Sequence, residues 1–343
     1  MEDNKINMEN IITLAHGSGG SATLKLIDQV FKKHFNNDIL SQGDDCAKLN
    51  ITNSNNLVFT TDSFVVTPVF FKGGNIGKLA VCGTVNDLST SGATPLYLSC
   101  GFIIEEGFSI DELEKIVESM STTARECGIQ IVTGDTKVVQ KGAADKVFIN
   151  TSGIGIVPDG ICISGKNAQV GDKIIISGTI GDHGSSILLE RENMGFQAEI
   201  KSDCAPLSGL VHDMLEVTSD IHVLRDPTRG GVATTLNEIA SQSNVSIVIE
   251  EDKLPVKREV QGVCELLGLE PLYMANEGKL LSFVPAAKAE AVLNAMRKNK
   301  YGQDAQIIGE VTKAGEPKVL LKALSGGARI IGLLAGDQLP RIC

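Results

Sequence analysis

Four motifs in the first half of the chain set a carboxylate beside glycine, a hydroxyl residue or asparagine, each after an apolar run: Gly43-Asp44-Asp45-Cys46, Thr60-Thr61-Asp62-Ser63, Asn86-Asp87 and Gly134-Asp135-Thr136. Carboxylates so placed suit hard, oxygen-seeking cations, above all Mg2+ bridging to phosphate. Any one of them alone is more often only a turn residue satisfying nearby amides; four in one region favour metal and phosphate binding. His16-Gly17-Ser18-Gly19-Gly20 precedes a helix expected from Ser21, so its amides could line a phosphate at a helix start or form a glycine lid over one. A mobile N-terminal linker is the alternative. Asp226-Pro227-Thr228-Arg229-Gly230-Gly231 opens another helix with Asp226 or Thr228 as N-cap, and its glycines let a ligand approach the backbone. Glu277, in Asn276-Glu277-Gly278-Lys279, is either a turn residue or a general base. The last residue, Cys343, is a thiol whose value would be mobility: a nucleophile on a tether can collect a group at one site and carry it to another.

These residues need a scaffold that brings distant stretches together. Short β-branched runs at Leu57–Thr61, Ile129–Thr133, Lys173–Ser177, Val245–Glu250, Leu280–Val284 and Arg329–Leu334 read as strands. Helical stripes lie between them: Leu24, Ile27, Val30 and Phe31; the run after the capping box Ser109/Glu112; and Val232, Leu236, Ile239 and Ala240. The alternation implies an α/β or α+β architecture of layered sheets and helices. A polar turn around Ser164-Gly165-Lys166-Asn167 places a domain boundary near 165, giving domains 1–165 and 166–335 and a tail over 336–343. Extended at ~3.3–3.6 Å per residue, that tail could carry Cys343 on the order of 20 Å, enough to span a domain-sized cleft.

With 343 residues the chain is long enough for two domains, each with its own core. Its 31 basic against 42 acidic side chains give a net charge of −11, which argues against nucleic acid and anionic lipid as partners. No apolar run approaches the ~20 residues of a membrane span. The eight cysteines show no close chelating pairs, and the first twenty residues lack a secretion signal, so the thiols are expected to be free and the protein cytoplasmic. No Walker pattern is present; Gly77-Lys78 lacks both the upstream glycine and the following Ser or Thr.

Taken together, the motifs at His16–Gly20, Gly43–Ala47, Thr60–Ser63, Gly83–Leu88 with Gly92–Pro95, Gly134–Thr136, Asp226–Gly231 and Asn276–Lys279, and the terminal Pro340-Arg341-Ile342-Cys343, closely resemble the HypE family of hydrogenase maturation proteins across essentially the whole chain. The Asp and Gly motifs are shared with the wider superfamily of aminoimidazole ribonucleotide synthetase, selenophosphate synthetase and thiamine-monophosphate kinase; the terminal motif is particular to HypE. Lys72, Asn75 and Ser89-Thr90-Ser91 depart from the usual pattern.

The resemblance implies a two-domain fold of the aminoimidazole ribonucleotide synthetase type. Its N-terminal sheet would pair with its twin into an intersubunit barrel in a homodimer, with a C-terminal α/β layered domain beside it and ATP between the two. It also implies an enzyme that is its own substrate. The carbamoyltransferase HypF would load Cys343 with a carboxamide, ATP would phosphorylate the amide oxygen, and elimination would leave a thiocyanate. The cyano group would pass to the iron of a [NiFe]-hydrogenase on the HypC and HypD scaffold. By the same analogy Asp44, Asp45, Asp62, Asp87, Asp135 and Asp226 are candidates for Mg2+ and the ATP phosphates, and Gly17, Gly19 and Gly20 would cover those phosphates. Gly134, Thr136 and Lys137 would lie against the nucleotide. Glu277 is the expected proton acceptor, with His16 a second candidate. Two rivals stay open: a relative acting on a diffusible small molecule, and a non-catalytic adaptor that docks by its tail.

Overall fold

A computed structural model describes residues 20–26, 47–51, 55–192, 199–334 and 343. A five-stranded sheet forms the first half, in the order β1 (Ala47–Ile51), β2 (Asn55–Phe64), β7 (Val147–Val157), β5 (Thr94–Glu105), β6 (Gln130–Val139). Only the β5–β6 pair is parallel, joined by a crossover through α3 (Ile110–Glu126). Ser109 starts that helix as expected, its hydroxyl accepting from the Glu112 amide. The short α1 (Ser21–Leu26) contains Leu24; the rest of that predicted stripe, Ile27, Val30 and Phe31, lies outside the described residues.

Helix α2 (Ile76–Thr90) is apolar on nearly every side, with Ile76, Leu79, Ala80, Val81, Val85 and Leu88 fully buried. A helix hydrophobic all round must be covered all round. It packs against β2, β7 and α3 on one side and reaches the second half at α5 (Ser208–Val217) and β9 (Val223–Arg225) on the other. Asn75, one of the departures, still caps it, accepting from the amides of Gly77 and Lys78 at 2.9 and 3.0 Å.

The second half is a seven-stranded sheet in the order β14 (Ala328–Ile331), β13 (Lys318–Lys322), β10 (Val245–Glu250), β12 (Gln306–Ala314), β8 (Asp172–Ile176), β11 (Leu281–Pro285), β9. Ile174, Ile175 and Ile176 of β8 are all fully buried. Side chains alternate along a strand, so Ile174 and Ile176 join α6 (Gly231–Ser243) in one core while Ile175 joins α5 and α8 (Ala286–Lys298) in another. Both faces of the sheet are covered, which explains continuous apolar runs where a one-sided sheet would alternate. The predicted strand at Arg329–Leu334 is shorter, ending at Ile331.

One local expectation is corrected. Helix α6 begins at Gly231 with Gly230 as N-cap at φ 75°, so neither Asp226 nor Thr228 caps it. The chain turns through left-handed Gly230 and Gly231 because a Cβ at Gly231 would lie 2.6 Å from the carbonyl oxygens of Leu272 and Met274. His183 stands in the first turn of α4 (Asp182–Glu192), buried with Nδ1 2.8 Å from Ser202 Oγ.

Candidate active site

Asp62 reaches the boundary between the two halves from β2, where α2 crosses it closely. A Cβ on Gly83 of α2 would sit 2.8 Å from the Phe64 ring and 3.6 Å from Asp62 Oδ2. The second half contributes the loop before α6, with Asp226 and Arg229, and the loop before β11, with Glu277. Asn276 ties these loops together. Its amide nitrogen donates to the carbonyls of Pro227 at 2.9 Å and Met274 at 3.0 Å, and its side-chain oxygen accepts from the Gly181 amide at 2.8 Å.

Glu277 is held by its backbone and left open at its carboxyl. Its amide donates to Asp203 Oδ1 at 3.1 Å, and its carbonyl accepts from Asn86 Nδ2 of α2 at 3.5 Å. Asn86 also donates to the Ala205 carbonyl and accepts from the Leu207 amide, so one N-terminal side chain fixes the segment beneath Glu277. Gly278 permits this packing, because a Cβ there would lie 1.9 Å from the Asp203 carbonyl oxygen. Glu277 is 3% exposed, yet Oε1 has no hydrogen-bond partner. Burial, then the charges of Cys204, Asp226, Asp62 and Asp203, push its pKa well above the ordinary carboxylate range.

Cys343 lies in this cluster. The Val65 amide donates to its main-chain oxygen at 3.1 Å, and Cys343 packs against an apolar cluster drawn from both halves. The Arg229 guanidinium hydrogen-bonds the thiol and interacts electrostatically with Asp62 and Glu277. Burial pushes the thiol up to about 12, with Arg229 opposing and Glu277 and Asp62 adding to the rise. The bare sulfur is therefore a neutral thiol here and a poor nucleophile. Asp62 is raised by burial, against the Ser63 amide and Arg229, while Asp226 is raised to about 6 by burial, with Arg225 opposing and Asp62 contributing.

The remaining candidates divide. Asp87 accepts from Thr60 Oγ1 at 2.9 Å, a bond from β2 to α2 one turn beyond Gly83. Gly134, Asp135, Thr136 and Lys137 stand on the exposed edge strand β6. Register aligns Asp62 with Thr151, Thr151 with Cys100 and Cys100 with Gly134. Three strand spacings, about 14 Å, thus separate Asp62 from this group within one chain. Asp135 is paired with Lys137 at 2.8 Å, and that hydrogen bond, then the Thr136 amide, lower its pKa. Gly20 precedes α1 and accepts from the Leu24 amide at 3.1 Å. His16, Gly17, Gly19, Asp44 and Asp45 lie outside the described residues.

Arg229, Asp203 and Asn86 carry roles that the sequence reading did not assign. Arg229 and Asn86 sit inside quoted motifs, which was the available signal. Nothing local marks Asp203, whose Oδ2 lies 3.3 Å from Lys279 Nζ. Among the described residues no group of three or more His, Cys, Asp or Glu is spaced to hold a metal by itself. Mg2+ usually takes one or two carboxylates plus phosphate oxygens. The raised carboxyls of Asp62 and Asp226 and the orphaned oxygen of Glu277 make a surplus of buried negative charge that fits a cation.

A sheet-and-helix N-terminal half facing a doubly covered C-terminal sheet, with acids gathered between them, defines the AIR synthase related class. Residues 43–157 match the AIR synthase related protein N-terminal domain and residues 169–322 its C-terminal domain. Carbamoyl dehydratase HypE of Cupriavidus necator is 52% identical over 97% of this chain and 95% of that one, and HypE of Escherichia coli is 48% identical over 97% and 100%. Among solved structures, a HypE–HypF complex is 50% identical with a TM-score of 0.86, covering 90% of this chain and 99% of that one. HypE in complex with ATP is 50% identical with a TM-score of 0.81, covering 97% and 100%. The chain belongs to the carbamoyl dehydratase HypE family.

Proposed function

We propose that this protein dehydrates an S-carboxamide on its own Cys343 to a thiocyanate at the expense of ATP, supplying cyanide for the iron of a [NiFe]-hydrogenase. The observation that carries the reading is the meeting of the Cys343 sulfur, Arg229, Asp62 and Glu277 at the boundary of the two halves. Similarity to HypE solved with ATP and with HypF supports ATP as cosubstrate and HypF as carbamoyl donor.

The chemistry makes specific demands. Oxygen is a poor leaving group from an amide, so it must first become a phosphate ester by attack on the terminal phosphoryl of ATP, releasing ADP. Nitrogen then loses its two protons as the C–O bond breaks, phosphate departs, and S–C≡N remains. Glu277 takes a proton: its raised pKa makes its carboxylate a stronger base than an exposed glutamate, and Oε1 has no competing donor. Arg229 positions the sulfur, and Val65 holds the adjacent main chain.

Asp62 and Asp226 would hold Mg2+, joined by Asp44, Asp45 and Asp87, and the ion would neutralise charge on the transferring phosphate. His16, Gly17, Gly19 and Gly20 would close over the nucleotide, with Gly134, Asp135, Thr136 and Lys137 serving it from β6. The neutral thiol in the cleft supports carbamoylation at another site, with the 336–343 tail carrying the group back. Exposed apolar Ile131, Val132 and Val138 on β6 support a homodimer joined through that edge. We assign domains 1–165 and 166–335 to nucleotide binding with dimerisation and to the α/β layer respectively. HypC and HypD would accept the cyano group in the cytoplasm; no helix among the described residues is long and apolar enough to cross a membrane.

Intact-protein mass spectrometry tests the reaction. After loading by HypF, MgATP should remove the mass of one water from the adduct on Cys343. A persistent carboxamide, or a product lacking the cysteine adduct, would overturn the reading.

A further inference from the structure

Behind the Glu277 loop lies a cavity of about 330 Å3 that the dehydration chemistry does not use. Five lysines line it, Lys78 from α2 and Lys201, Lys257, Lys279 and Lys300 from the second half, against three aspartates. Asp203 neutralises Lys279 at 3.3 Å, Asp182 meets Lys257 at 2.9 Å, and Lys300 is paired with Glu126 at 2.6 Å. Lys78 donates to the Gly73 carbonyl and interacts electrostatically with Glu126, while exposed Lys201 forms no ion pair among the described residues; with Asp304 the only other lining acid, five lysines outnumber the acids they meet. The wall is therefore cationic.

Two carboxylate oxygens of its lining residues lack a hydrogen-bond partner, Asp182 Oδ1 and Asp203 Oδ2; the second faces Lys279 at 3.3 Å, which leaves Asp182 Oδ1 unexplained. Asp182 is 1% exposed; its Oδ2 accepts from Thr179 Oγ1 and Lys257 Nζ, while Oδ1 has no hydrogen-bond partner. A buried polar atom left unpaired is costly and calls for a donor. A cationic cavity with a fixed carboxylate acceptor asks for an anion that still carries an O–H. Hydrogen phosphate has one; sulfate at the same pH is fully deprotonated and would set its oxygens against the carboxylate.

We propose that this cavity binds orthophosphate as hydrogen phosphate. Its ionised oxygens meet the lysine ammonium groups, and its P–OH donates to Asp182 Oδ1. Asp203 joins this site to the Glu277 loop, since one of its oxygens receives the Glu277 amide and the other faces Lys279. The binding claim stands on the cavity alone and does not require the dehydratase reading.

Titration calorimetry of the full-length protein without nucleotide, at fixed ionic strength, tests it with inorganic phosphate and sulfate as probes and ATP binding measured on the same samples. Phosphate should bind at least about tenfold more tightly than sulfate. Asp182→Asn should collapse that ratio by weakening phosphate and admitting sulfate. Because Asp182 is buried, the exposed Lys201→Glu gives a second test: phosphate affinity should fall about tenfold with ATP affinity and circular dichroism unchanged. Equal binding of the two anions, no phosphate binding, an unchanged ratio in Asp182→Asn, or phosphate displaced competitively by ATP would each overturn the assignment.

Discussion

Asp62 and Asp135 look alike as sequence, each an aspartate near the end of a β-rich run beside a hydroxyl residue, yet they occupy opposite electrical environments. Asp62 lies where β2 meets α2 and the second half, and burial raises its pKa despite Arg229. Asp135 stands on the open edge of the same sheet, its pKa lowered by Lys137 two residues away. An acid in the first setting pays for its charge and is improved by a cation; one in the second is already matched. Sequence spacing reports the candidate, whereas the partner arriving from a remote segment decides its chemistry.

The sharpest way to break this contrast is to remove the most strained acid. Glu277→Gln keeps the shape and the Asp203 contact to the backbone, so the carboxamide should still form while dehydration slows about 10²- to 10⁴-fold. Normal thiocyanate formation in single-turnover assays would exclude Glu277 as the base. Arg229→Ala should slow the same step by about tenfold to a hundredfold, the worth of a hydrogen bond to a charged group. Released from the cleft, Cys343 should be alkylated faster by iodoacetamide, with ATP affinity retained; unchanged alkylation would deny Arg229 its positioning role.

Asp226 offers a test through stability. Its folded pKa, about 6, lies above the unfolded carboxylate value, so the folded state holds its proton longer. Stability from this group is therefore fully present at low pH, is lost as pH rises from the ordinary carboxylate range through about 6, and is flat above. Asp226→Asn should remove that loss and raise the stability of the ligand-free protein at pH 7 by about 3 kcal/mol. The same change should weaken magnesium-dependent activity. A variant less stable than wild type in denaturant titration at pH 7 would contradict the buried-charge explanation. Asp135→Asn sits at the other extreme, and the Tm of the ligand-free protein should not move measurably.

Much of the cluster was legible in the chain. Asp62, Asp226, Glu277 and Cys343 all drew notice as carboxylates or a thiol in unusual company, and the structure gathers them at one place. Strand β10 runs over Val245–Glu250 as its β-branched pattern predicts, because both faces of that sheet are buried. Arg229 and Asn86 escaped assignment although they lie within noticed motifs. Their partners, Cys343 and the 205–207 segment, are more than a hundred residues away, and no periodicity encodes such pairings. The capping role expected of Asp226 failed for a related reason: Leu272 and Met274 crowd the turn, only glycine fits, and the cap moves to Gly230.

A carbon-13 label in the carboxamide on Cys343 follows the reacting atom itself. On addition of MgATP, the NMR resonance of that carbon should move from the carboxamide to the thiocyanate region in the wild-type protein and stay in place in Glu277→Gln. A resonance that never leaves the carboxamide position in the wild type, or that converts equally in both proteins, would contradict a cleft in which Glu277 serves the sulfur-borne amide.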